Sequence, residues 1–164
     1  KEKKKKGTAP TQEKVIQLVI AGKQGWLAQP ILDRIKRSPY KSRIVLTDFV
    51  TEEEKAILYR SALCSVLIGL HEGFGMPALE SLQYSVMPVV SNRTSLPEVV
   101  GGAGMLVNPD DPTDIMKGID RAIRFNQKER RDFAKLAQQQ VQKFSWTLSA
   151  EKLLEIFQTV INKK

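Results

Sequence analysis

The chain has 164 residues, 41% of them apolar, enough to bury one sizeable core and to predict one main domain. One cysteine and one histidine exclude an internal disulfide and a nitrogen/sulfur metal site, and no apolar run approaches the roughly 20 residues of a membrane span. Of the net charge of +8, half lies in residues 1–6, which carry five Lys and one Glu. That block reads as a solvated end, with an anionic membrane surface as the alternative, and no interleaved aromatics or motif point to nucleic acid. No secretory leader pattern follows KEKKKK, so the expected location is cytoplasmic, with contact at the inner membrane face left open.

In chain order, VIQLVIAG (Val15–Gly22) is apolar and β-branched and predicts a strand buried on both faces. RIVLTDFV (Arg43–Val50) repeats that pattern, as does LCSVLIG (Leu63–Gly69); PVVS (Pro88–Ser91) and GMLVNP (Gly104–Pro109) are shorter versions. Between them, TEEEKAILYRSA (Thr51–Ala62) predicts a helix, with Thr51 and Glu54 in capping-box spacing and Ala56, Tyr59 and Leu63 on one face. A further helix carries the stripe Ile115, Ile119, Ala122 and Ile123. Two more follow over 127–162, with Phe133, Leu136, Ala137 and Val141 in one and Leu153, Leu154, Phe157, Val160 and Ile161 in the other. Buried strands alternating with helices predict an α/β, Rossmann-like, mostly parallel sheet flanked by helices. Residues 1–13 read as a basic helix remnant or linker, and 14–164 as the domain.

The stretch HEGFGMPALE (His71–Glu80) follows the strand Leu63–Gly69 and so belongs to the crevice beyond the carboxyl ends of the strands, where such sheets bind ligands. Pro77 suits the first position of a helix, which makes Glu80 its fourth residue and leaves Glu72 in the loop. Gly73, Gly75 and Met76 then offer backbone N–H groups near a positive helix end, which suit a diphosphate. A carboxylate repels phosphate but accepts hydrogen bonds from a vicinal diol. A nucleotide-sugar has both features. The plainer readings are a loop charge with a helix-start charge, or a glycosidase pair. His71 reads equally as a ligand contact or a strand-end cap, Phe74 as packing, and Cys64 as a small core residue.

EGFGMPALES, followed by PVVSNRTSLPEVVGGAGMLVNPDD, resembles the nucleotide-sugar-binding C-terminal half of family 4 (glycosyl transferases group 1) retaining glycosyltransferases, which have the GT-B fold. Glu72 and Glu80 match the family's Glu-x7-Glu, and IAGKQGW, RIVLTDFVTEEEKAILYRSA, SLPEVVG, NPDDP and FSW occur in the family's order over roughly residues 14–162. The resemblance implies that Glu72 contacts the donor sugar and supports transition-state charge, and that Glu80 holds the ribose. It implies that Gly73, Phe74, Gly75 and Met76 meet sugar and diphosphate through their N–H groups, with His71 beside them. Phe49 and Val50, at the end of a strand, fall where the family places the base, and Thr94 and Ser95 lie near the donor. The implied substrate is a GDP- or UDP-sugar, with no cofactor and no metal in this half.

The family's first central strand, with its Gly-Arg segment and nearby Lys, has no counterpart here, nor has its acceptor-binding N-terminal domain. The expectation is a truncated donor half that transfers little sugar by itself. Ile68 and Gly69 replace a usual Pro-Ser, and Ser85 stands where a helix-ending glycine is common. The alternatives are a non-catalytic nucleotide-sugar-binding scaffold and a GT-B nucleotide-sugar epimerase.

Overall fold

The computed structural model describes residues 15–162, so the predicted basic segment 1–13 lies outside the described residues. The chain forms two compact units that divide between Glu54 and Lys55.

The first unit contains β1 (Leu18–Ile20), α1 (Gln29–Arg37), a 3-10 turn at Lys41–Arg43 and β2 (Ile44–Leu46). β1 and β2 are parallel, with Leu18 opposite Ile44 and Ile20 opposite Leu46. Beyond that ladder, Thr47 N–H donates to the Ile20 carbonyl at 3.0 Å and Gly22 N–H to the Asp48 carbonyl at 3.2 Å. Both predicted strands exist, but the expectation that they are buried on both faces is wrong. Leu18 is 50% exposed, and Val19, Ile20, Val45 and Leu46 are exposed as well. Among the described residues of this unit, α1 is the helix available to cover the pair, and α1 buries none of its residues. Arg34, Lys36 and Arg37 occupy the last turn of α1, where they complement the negative helix end.

α2 (Glu52–Ser61) begins as predicted. Glu54 N–H donates to Thr51 Oγ1 at 3.2 Å, and Thr51 N–H donates to Glu54 Oε2 at 2.8 Å. The unit boundary falls inside this helix.

The second unit continues with β3 (Cys64–Leu67), α3 (Met76–Gln83), β4 (Met87–Ser91), α4 (Leu96–Val100) and β5 (Met105–Val107). It ends with α5 (Pro112–Ile123), α6 (Gln127–Val141) and α7 (Trp146–Ile161). Its three strands are parallel in the order β3-β4-β5. Every residue of β4 is buried, the continuous apolar run a central parallel strand requires. Successive residues face opposite ways: Val89 joins Leu82, Val107, Ala122 and Phe133 in one core cluster, and Val90 joins Ala78, Leu79, Leu96 and Val99 in another. Cys64 packs against the first cluster, the small core role expected of it, and burial raises its thiol pKa. The apolar stripe of α7, by contrast, buries none of its residues.

Two polar devices fix the helices of this unit. Ser65 Oγ donates to Ser81 Oγ at 2.7 Å, and Ser81 Oγ donates to the Val86 carbonyl at 2.9 Å, which ties α3 to β3 and to the approach to β4. Gln140 of α6 donates through Nε2 to the Glu98 and Val99 carbonyls at 3.0 Å each, and so anchors α6 on α4. No described helix is long and apolar enough to cross a membrane.

α4 ends at Gly101, with φ +52° and ψ −131°, a conformation that side-chain-bearing residues avoid. A Cβ there would also stand 2.6 Å from Gln140 Oε1. Gly101→Ala is therefore expected to cost about 1–3 kcal/mol from backbone strain, with displacement of Gln140 adding to it. Chemical denaturation of both forms measures this, and equal midpoints would contradict it.

Candidate functional site

Met76 is the first residue of α3 and Pro77 the second, so Glu80 is the fifth helical residue, one later than the sequence suggested. The helix starts one residue early because Gly75 serves as its N-cap. Gly75 has φ +97°, and a Cβ on it would lie 2.5 Å from Leu96 Cδ2. Both its conformation and its packing require glycine. No side chain caps this end of α3; Ala78 N–H donates to the Gly75 carbonyl at 2.9 Å and Pro77 has no N–H, which leaves the Met76 N–H as the first-turn donor turned away from the helix.

The loop ahead of the helix is braced from the segment after β4. Thr94 Oγ1 accepts from the Glu72 N–H at 3.3 Å and donates to the Arg93 carbonyl at 2.8 Å. Ser95 Oγ is 2.9 Å from the Phe74 carbonyl and 3.4 Å from that of Glu72, so its single proton favours Phe74. Thr94 holds a left-handed φ of +55°, an uncommon state for a β-branched residue, and Arg93 ion-pairs with Asp110 beside it. Thr94 and Ser95 thus act on the backbone of the Glu72 loop.

Glu72 is partly buried, and a Cβ on Gly69 would come within 3.0 Å of Glu72 Oε1. The glycine at this position therefore leaves room for the carboxylate. His71 and Gly73 are exposed, and Met76 is half-exposed. Phe74 meets Phe144 edge to face, with centroids 5.6 Å apart, so its ring packs as expected.

Phe49 and Val50 lie in the first unit. β2 ends at Leu46, which places them in the loop beyond the strand and not at its end. Phe49 is 72% exposed, with the Lys23 ammonium 6.0 Å from its ring centroid. The other expected site residues, 71–76, Glu80, Thr94 and Ser95, all belong to the second unit.

Glu80 has partners the sequence did not single out. Lys55 Nζ is 2.8 Å from Glu80 Oε1, with side-chain exposures of 27% and 22%. Tyr59 Oη lies 3.0 Å from the Pro77 carbonyl and 3.3 Å from Glu80 Oε2, sharing one proton between two acceptors. The Tyr59 ring stacks on Tyr84 with centroids 5.4 Å apart, and the Arg60 guanidinium lies 5.4 Å from the Tyr84 centroid. Lys55 and Tyr59 are four apart on one face of α2. That spacing was the available signal: a lysine one turn before a tyrosine on a face otherwise bound for the interior.

Burial, reinforced by the Glu80 charge and hydrogen bond, pushes the Tyr59 phenol from 10.0 up to about 12. Its folded value exceeds the unfolded one, so neutral Tyr59 contributes fully below pH 10 and its contribution is lost as pH rises through about 12. Absorbance titration of the phenolates should show a late tyrosine near pH 12 that Tyr59→Phe removes. A wild-type curve without that step would contradict the geometry.

The profile of the family described as Glycosyl transferases group 1 matches residues 3–140. Among curated proteins, the chain is 35% identical over 117 residues to the serotype-specific mannosyltransferase WbdA of Escherichia coli, covering 71% of this chain and 14% of that protein. It is 34% identical over 144 residues to O-antigen chain mannosyltransferase B of Escherichia coli, covering 84% of this chain and 37% of that one. The chain therefore spans well under half the length of these relatives. Among solved structures, a glycosyltransferase from Rickettsia africae ESF-5 superposes with a TM-score of 0.79 at 16% identity, over 91% of this chain and 41% of the other. Sucrose-phosphate synthase from Thermosynechococcus elongatus gives 0.77 at 20% identity, over 90% and 39%. The chain belongs to the group 1 family of glycosyl transferases, and its α/β fold, with parallel sheets flanked by helices, is that of a GT-B glycosyltransferase domain.

Proposed function

We propose that this chain is the donor-binding half of a retaining glycosyltransferase that moves a hexosyl unit from a nucleoside-diphosphate sugar to a glycan or lipid acceptor. The observation that carries the reading is the Glu72–Glu80 segment: two carboxylates on one loop-and-helix unit, with a helix start between them that no side chain caps. The α3 N-terminus and the N–H groups of residues 73–76 suit the diphosphate, whose developing charge they would stabilise as it leaves. Glu80 suits the ribose diol, and Glu72 the hydroxyls of the donor sugar and positive charge at its anomeric carbon. The mannosyltransferase relatives favour a mannose-type donor, with a glucose type as the alternative.

On this reading the chain supplies donor binding, and transfer needs the acceptor side of a longer protein. By itself the chain is expected to bind a nucleoside diphosphate and to turn over little or no sugar. Thermal unfolding with millimolar GDP, UDP and ADP tests this. One nucleotide should raise the midpoint, with a gain of about 2.7 kcal/mol at 100 times its dissociation constant. Glu80→Ala should remove most of the rise. A midpoint indifferent to all three nucleotides would overturn the reading.

A further inference from the structure

We propose that Lys55 and Tyr59 are positioning residues that set the Glu80 carboxylate for a ribose 2′,3′-diol, a proposal that rests on the donor-site reading above. A carboxylate offers about four lone-pair directions over its two oxygens. Lys55 holds Oε1 at 2.8 Å, and the Tyr59 hydroxyl, whose one proton is shared with the nearer Pro77 carbonyl, stands 3.3 Å from Oε2. Both oxygens are thus flanked by donors, Oε1 the more firmly, and each keeps acceptor capacity. Two acceptors side by side at fixed orientation match two hydroxyls on adjacent carbons. A glutamate held at one oxygen, or at neither, would leave its terminal torsion free and would have to order it on binding.

The hold comes from a different helix than the one carrying Glu80, and it is itself rigid. Tyr59 is pinned at its ring by Tyr84, just past the end of α3, and at its hydroxyl by the Pro77 carbonyl near the start of α3. Its oxygen therefore stands in a direction set by both ends of the helix it serves. Raised ionisation keeps that oxygen a donor well above neutral pH. The Lys55 and Glu80 side chains are both partly buried, which makes the pair stronger than a fully exposed one. An ion pair that only joined α2 to α3 would stabilise the fold yet leave the choice between ribose and deoxyribose untouched. That difference separates positioning from stability.

The test is calorimetric binding of GDP, 2′-deoxy-GDP, UDP and 2′-deoxy-UDP to the wild-type chain and to Lys55→Met, Lys55→Arg and Tyr59→Phe. Wild type should prefer the ribose form by roughly tenfold or more, the value of one charge-assisted hydrogen bond. Lys55→Met should bring the two forms to within about twofold, chiefly by weakening the ribose form. Lys55→Arg should recover part of the preference, and Tyr59→Phe should lower it while retaining the stacked ring. Tyr59→Phe also keeps the proposal falsifiable should Lys55→Met fail to fold. Full preference retained in the folded variants would overturn this proposal and leave the donor site standing. A wild type that binds ribose and deoxyribose forms equally would overturn both the proposal and the ribose role of Glu80. A wild type that binds none of the four would overturn the donor-site reading and the proposal with it.

Discussion

A relay of two hydroxyls, centred on the buried Ser81, sets the position of α3, and the candidate site depends on α3. Ser65, itself partly buried, donates to Ser81, and the fully buried Ser81 donates to the Val86 carbonyl. A buried polar group left without its partner costs about 1–3 kcal/mol, so sliding or rotating α3 on β3 carries a penalty that is a sizeable fraction of a small unit's margin. Glu80 precedes Ser81 and lies one step around the helix, roughly 100° away. The residue that locks α3 to the sheet thereby turns its neighbour toward Lys55 and Tyr59. One polar face serves the fold, and the adjacent one serves the site.

The loop ahead of α3 obeys a similar economy. Gly75 must be glycine for its φ and for the contact with Leu96, while Thr94 and Ser95 hold the backbone on which Glu72 rides. Thr94 keeps an uncommon backbone state to do so, and backbone strain of this kind clusters at functional segments. The carboxylates are thus held by unlike means. Glu72 is placed through its main chain and Glu80 through its side chain.

All five strands among the described residues are legible in the sequence because apolar, β-branched runs carry most of the signal. Their burial was legible only where the second unit supplies helices on both sides, as it does for β4. Val15–Gly22 reads the same as PVVS, yet β1 is exposed, because composition says how a segment would be buried and not whether a cover exists. Ser85 stands where the sequence predicts a left-handed helix end that suits glycine better, and its φ is +55°. The start of α3 was misplaced by one residue because Pro77 tolerates either of the first two positions. α1 was not singled out; its N-cap, Ala28, has no capping side chain, so the usual start signal is missing. In the sequence Lys55 reads as a solvated helix lysine, and only the fold shows a carboxylate from another helix within 2.8 Å of it.

Family membership and fold rest on the match across residues 3–140 and on the shared architecture, whereas the proposed donor site rests on geometry within the second unit. The most direct measurement of that claim is a backbone amide NMR titration of the chain with GDP-mannose and UDP-glucose. The account predicts saturable shifts, with one of the two sugars, centred on the amides of Gly73, Phe74, Gly75, Met76 and Glu80. Shifts confined to the basic concavity lined by Arg34, Arg37, Ser38, Pro39 and Tyr40, with the 73–80 amides unmoved, would contradict it.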